Sequence, residues 1–173
     1  DKSGSLVLEA CDGGVQIHEN PVGVLTNSPP FDIQLINLSN YMSVSRDEPD
    51  NSFSDKVSLT PYSRGMGGIG LPGDLSSMSR FVRASFAKLN SECEENEEAS
   101  VNQFFHILGT VSQTRGCARV GDGFEITRYS SCCNADKGIY YYTTYHHPAI
   151  VAVALKSTDL DHSQLQIHPV QGM

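Results

Sequence analysis

Apolar positions come in short β-type runs at the start of the chain. Leu6–Ala10 and Val15–His18 flank the turn CDGG at 11–14, which predicts a β-hairpin. Pro21 ends it, and Gly23–Thr26 reads as a third strand. Over residues 28–63 the pattern breaks up into Ser, Asn, Asp and Pro with brief apolar runs. A long excursion with little regular structure is expected there, of the kind used for function or assembly. A helical period begins at Ser77–Asn90, where Met78, Phe81, Val82, Ser85, Phe86 and Leu89 share one face after the turn Pro72-Gly73-Asp74. A second helix is predicted over Glu98–Ser112, with Val101, Phe104, Phe105, Leu108 and Val111 inward. The acidic run ECEENEE at 92–98 sits where negative charge suits that helix dipole. Phe124–Cys133, Ile139–Tyr145 and Ile150–Leu155 read as an antiparallel meander with a turn at NADKG, 134–138. Gln164–Pro169 is expected to add an edge strand, since Pro169 cannot donate to a ladder. Strands, two helices and more strands, without βαβ alternation, indicate α+β with antiparallel sheets.

Composition narrows the function. At 173 residues one domain is expected, and the net charge of −8 argues against nucleic acid, whose phosphates call for clustered Lys and Arg. The longest apolar run, AIVAVAL at 149–155, is far short of the roughly 20 residues that cross a bilayer. The five Cys (11, 93, 117, 132 and 133) include no C-x-x-C and no His at zinc spacing. Free thiols in a reducing, cytoplasmic compartment are expected, with no metal and no cofactor. Gly65, Gly67 and Gly70 satisfy G-x-G-x-x-G, but no strand leads in and Pro72-Gly73 block a helix. That excludes a dinucleotide site and leaves a glycine-rich loop. His146 and His147 are adjacent and read as pointing to opposite sheet faces. Arg80 and Arg83 fall opposite the apolar stripe, as solvated charges, although Arg80 lies close enough to the glycine-rich loop to reach a neighbouring site. Asn27 stands at a strand end before Ser28-Pro29-Pro30, where a rigid turn can hold its amide in one orientation. The chain opens on Asp1 and reads as the downstream part of something longer.

Four segments together carry a specific resemblance: NPVGVLTNSPPFDIQLINLSNY (20–41), GMGGIGLPGDLSSMSRFVRASFAKLNS (65–91), QFFHILGTV (103–111) and YSSCCNADKGIYYYTTY (129–145). They resemble the choloylglycine hydrolase family, nearest to its conjugated bile salt hydrolases. The resemblance implies an αββα sandwich of the N-terminal-nucleophile type, of which residues 1–173 are the C-terminal portion of a single domain. It implies an amidase that cleaves glycine- or taurine-conjugated bile salts with an N-terminal Cys as nucleophile and that residue's α-amine as base. No Cys of this chain is N-terminal, so the isolated chain is expected to be inactive. The alternatives are a penicillin V acylase-type amidase and a catalytically inert assembly module. By the same resemblance Asn27 is the oxyanion-hole amide and Arg80 an active-site cation beside the nucleophile. The resemblance also implies that Gln113, Thr114, Arg115, Gly116 and Cys117 border the substrate pocket. It implies that residues 40–72 are the segment that assembles a homotetramer, with their Gly-rich end placing Asp74 and Arg80.

Overall fold

The computed structural model describes residues 4–157 and 161–171. They fall into two compact units, one ending at Ser91 and one beginning at Glu92.

In the first unit β1 (Leu6–Cys11) pairs antiparallel with β2 (Gly14–Glu19), Val7 opposite His18 and Leu8 opposite Ile17. Side chains alternate between faces. Val7 is buried with Val22, Phe31 and Phe81, while Leu6, Leu8, Val15 and Ile17 are exposed on the other face. The Phe31 and Phe81 rings meet edge-on at 6.0 Å. Helix α1 (Phe31–Asn37) continues into a 3-10 turn at Leu38–Tyr41. Helix α2 (Ser77–Asn90) matches its predicted span and is capped by the Ser76 side chain, which accepts from the Ser79 N–H. Leu89, expected inward, is exposed, and Ala84 and Ser79 are buried in addition to Phe81, Val82 and Ser85.

Two expectations fail here. Gly23–Thr26 is not a strand. Asn20 takes its backbone groups instead, accepting from the Gly23 N–H at 2.7 Å and donating to the Val24 carbonyl at 3.0 Å. Gly23 turns into the left-handed region at φ 61°. Helix α1 lies inside the supposedly irregular 28–63 stretch, so among the described residues the α-helices number three and not two. Pro30 offers α1 no side-chain cap, and Glu9 of β1 accepts from the Phe31 N–H at 2.9 Å in its place. A cap from a distant strand leaves no local N-terminal signal.

The second unit packs α3 (Glu97–Gly109) beside a three-stranded antiparallel sheet of order β5 (Tyr129–Asn134), β6 (Ile139–Thr144), β7 (Val151–Ala154). A two-residue hairpin, β3 (Arg119–Val120) with β4 (Gly123–Phe124), precedes it. Helix α3 stops before its predicted end because Val111 and Ser112 bond back three residues, to Leu108 and Gly109. Phe104 is exposed, not inward, and no α3 residue is fully buried. The strand expected over 124–133 splits, since the Thr127 N–H pairs with the Gln113 carbonyl between its halves. His146 and His147 lie in a turn after β6, so strand alternation does not set their directions. Gln164–Pro169 forms no strand, and the Gln164 N–H turns back to the His162 ring. Among the described residues no helix is long and apolar enough to cross a membrane, and no group of three His, Cys, Asp or Glu is placed to hold a metal.

Candidate active site

Asn27 lies in the irregular segment between β2 and α1, and Arg80 in the first turn of α2. The fold brings them together: Arg80 Nη2 donates to Asn27 Oδ1 at 2.7 Å. Arg80 is therefore no solvated charge. Its Nε also donates to the Leu75 carbonyl, at 3.1 Å. A guanidinium has donors and no acceptor, so the Asn27 atom facing it must be the oxygen. The two Nδ2 hydrogens then point away from Arg80. They meet no acceptor among the described residues, and Asn27 is exposed.

The backbone around Asn27 is held from below. Gln34 of α1 has 0% exposure. Its Nε2 donates to the carbonyls of Asn27 at 2.6 Å and Pro29 at 2.7 Å. Its Oε1 accepts from the Thr26 hydroxyl at 2.5 Å, and Ser77 of α2 donates to that hydroxyl at 3.0 Å. Sequence reasoning missed Gln34 together with its helix. The signal was present, because Phe31, Gln34, Leu35 and Leu38 form an i, i+3, i+4, i+7 stripe with one amide on it.

The loop before α2 is equally fixed. Asp74 accepts from the Ser76 N–H at 2.9 Å and the Ser79 hydroxyl at 2.5 Å. Hydrogen bonds from Ser76 and then Ser79 hold its carboxyl well below the usual carboxylate range. Arg83 Nη1 donates to the carbonyls of Pro72 at 2.7 Å and Asp74 at 2.6 Å, so it too is engaged rather than solvated.

Gln113–Cys117 belong to the second unit. The Gln113 N–H donates to Thr127 Oγ1 at 2.8 Å, while its Oε1 is buried with no partner among the described residues. The Arg115 N–H donates to the Tyr145 hydroxyl at 3.0 Å, and its guanidinium lies 5.6 Å from the Tyr145 ring centre. Thr114 and Cys117 close a turn at 3.2 Å, and Gly116 inside it sits at φ 97°. All five thiols are free, with Cys11 and Cys132 half-buried and Cys93, Cys117 and Cys133 exposed. Burial, then the neighbouring Cys133, pushes the Cys132 thiol up, away from a reactive thiolate.

Residues 1–168 match the family model of linear amide C–N hydrolases, choloylglycine hydrolase family. The chain is 57% identical over 173 residues to the bile salt hydrolase/transferase of Lactiplantibacillus plantarum, covering 99% of this chain and 53% of that protein. It is 40% identical over 166 residues to the bile salt hydrolase/transferase of Bifidobacterium longum subsp. longum, covering 95% and 52%. Among solved structures, a cysteine-to-alanine mutant of the conjugated bile acid hydrolase from Clostridium perfringens superposes with a TM-score of 0.87 at 33% identity, over 99% of this chain and 52% of that one. Penicillin V acylase from Agrobacterium tumefaciens gives 0.69 at 25% identity, over 92% and 45%. The chain thus spans about half the length of the curated relatives it matches. The α+β class with antiparallel sheets, part of an N-terminal-nucleophile hydrolase fold, agrees with these neighbours. The chain belongs to the choloylglycine hydrolase family of linear amide C–N hydrolases.

Proposed function

We propose that this chain carries the oxyanion-stabilising part of a bile salt hydrolase, an amidase acting on glycine- or taurine-conjugated bile salts. The observation that supports it is the Arg80–Asn27 hydrogen bond, which turns both Nδ2 hydrogens of an exposed amide outward with nothing to bond. In the reaction a cysteine thiolate attacks the amide carbonyl. The S–C bond forms and the carbonyl π pair moves onto oxygen. Asn27 Nδ2–H donates to that oxyanion, a donor already aimed before charge develops. Collapse breaks the C–N bond, the nitrogen leaves as glycine or taurine after taking a proton, and water hydrolyses the thioester. The nucleophile in this reading is an N-terminal Cys outside these 173 residues, and none of Cys11, Cys93, Cys117, Cys132 and Cys133 takes that part.

Bile salts are favoured over penicillin V by the names and identities of the nearer relatives. In this reading Gln113, Thr114, Arg115, Gly116 and Cys117 border the acyl pocket, and the protein is cytoplasmic. Residues 40–72 assemble a homotetramer. Support for that comes from Met42, Phe53 and Tyr62, which are 84%, 83% and 86% exposed.

The test is steady-state hydrolysis of glycocholate by the intact protein that carries this sequence. Asn27→Ala should lower kcat by about 10²–10³ with KM little changed, because the donor acts on charge present only in the transition state. Full kcat in a folded Asn27→Ala variant would overturn the reading. The 173-residue chain alone should release no glycine or taurine above a buffer blank.

A further inference from the structure

We propose that Gln34 is a positioning residue for the reaction, acting through Asn27; the inference rests on the reading of Asn27 as the oxyanion donor. An uncharged amide buried to 0% exposure normally costs desolvation, and a leucine at this point of the α1 stripe would avoid that cost. Gln34 offsets it by making three hydrogen bonds, all to the four-residue segment Thr26–Pro29. None of the three goes to another helix or to a strand. The amide is therefore spent on the shape of the segment that carries Asn27.

Asn27 is consequently gripped at two points from two helices. Gln34 of α1 holds its carbonyl, and Arg80 of α2 holds its side-chain oxygen. The Thr26 hydroxyl couples these supports. The Asn27 and Pro29 carbonyls can only accept, so they fix which way the buried amide faces; the Thr26 hydroxyl then donates to Gln34 Oε1 and accepts from Ser77, the first residue of α2. With Gln34 Oε1 assigned to Thr26, both Nε2 hydrogens are committed to the carbonyls of Asn27 and Pro29. The only polar group of Asn27's side chain left uncommitted is Nδ2. Removing Gln34's donors leaves two part-buried backbone carbonyls without their partner, which favours a shift of the segment towards other donors. A displacement approaching 1 Å at a reacting group can cost about 10²-fold in rate.

The experiment uses the intact protein with glycocholate, following kcat and KM separately, and thermal unfolding to confirm the fold. Gln34→Met keeps the volume and removes every hydrogen bond. It should lower kcat at least about 10-fold, short of the 10²–10³ of Asn27→Ala, with KM within about 3-fold. The decisive arm is the double variant. If Gln34 acts through Asn27, adding Gln34→Met to Asn27→Ala should lower kcat no further. A multiplicative loss in the double variant, or full kcat in folded Gln34→Met, overturns the proposal. Should Gln34→Met fail to fold, Thr26→Val and Thr26→Ser decide. Valine removes the partner of the buried Gln34 Oε1 and its link to Ser77 and should lower kcat, while serine keeps the hydroxyl and should restore it. Equal kcat in the two overturns the proposal. Full kcat in Asn27→Ala is a different failure, of the oxyanion reading itself.

Discussion

Gln34 in the first unit and Glu97 in the second do comparable jobs by different physics. Each ties a helix to another part of its own unit through three hydrogen bonds of one side chain. Gln34 is neutral, fully buried and bonded to Thr26, Asn27 and Pro29. Glu97 is charged and half-buried, and accepts from Lys137, Asn134 at 2.5 Å and Tyr141 at 3.0 Å. A neutral buried amide gives fixed geometry at any pH at which the chain is folded. A carboxylate with a lysine partner gives attachment that depends on pH and salt. Asn27, the proposed oxyanion donor, hangs from the first kind of anchor; the second fastens a helix to a β-hairpin.

The packing around the anchors differs in the same direction, and that is the sharpest place to test the contrast. Phe31 has 0% exposure against Phe81, whereas Phe104 is 40% exposed. Phe31→Ala should cost about 3–5 kcal/mol and take the α1 anchor with it. Phe104→Ala should stay within about 0.5 kcal/mol. Urea unfolding of the intact protein measures both. Comparable losses would mean the second unit is packed as tightly as the first.

Next in size is Arg80. Arg80→Ala should lower kcat by about 10², close to loss of the donor it orients, and Arg80→Lys should recover only part, because an ammonium cannot bond Leu75 and Asn27 with one planar fork. Full recovery by lysine would leave Arg80 a point charge near the nucleophile and remove its hold on the Asn27 amide.

Much of this contrast was legible in the residues, and its limits are physical. The span of helix α2 was readable because its apolar stripe is local, although its cap is Ser76 and not a residue of the turn Pro72-Gly73-Asp74. The contact of Asn27 with Arg80 crosses 53 residues of sequence; the resemblance to the family named both residues for one site but not their hydrogen bond. Helix α1 was missed because it is seven residues long and its cap, Glu9, comes from β1. Missing α1 meant missing Gln34. Phe104 was misjudged for the opposite reason. A helical period marks which residues share a face, not whether that face is covered, and in α3 the stripe is wider than what the unit buries. Gly23–Thr26 failed because Asn20 competes for the same backbone groups, a choice that composition does not reveal.

The smallest expected effect separates the two anchors by pH. The Glu97 carboxyl is held below its ordinary value of 4.5, first by the hydrogen bond from Lys137 and then by that from Tyr141. Its contribution to stability is whole above pH 4.5 and falls away as pH drops below that value towards the lower folded one. The partner behaves in the opposite sense. Lys137 is raised above its ordinary 10.5 by Glu97, so its share is whole below pH 10.5 and fades as pH rises past it. Tyr141, also raised, above 10.0, adds to the same alkaline loss. Urea midpoints for the parent and Glu97→Gln should therefore differ most from pH 5 to 9 and converge as pH falls below 4.5, where the depressed carboxylate takes up its proton. The corresponding gap between the parent and Gln34→Met should hold steady from pH 7 to about 3, because no proton is exchanged at a neutral amide. A Glu97→Gln gap that stays constant as pH falls well below 4.5 would show that the lysine pairing adds nothing beyond what a neutral amide supplies. The two anchors would then be one kind, and the contrast between the units would rest on packing alone.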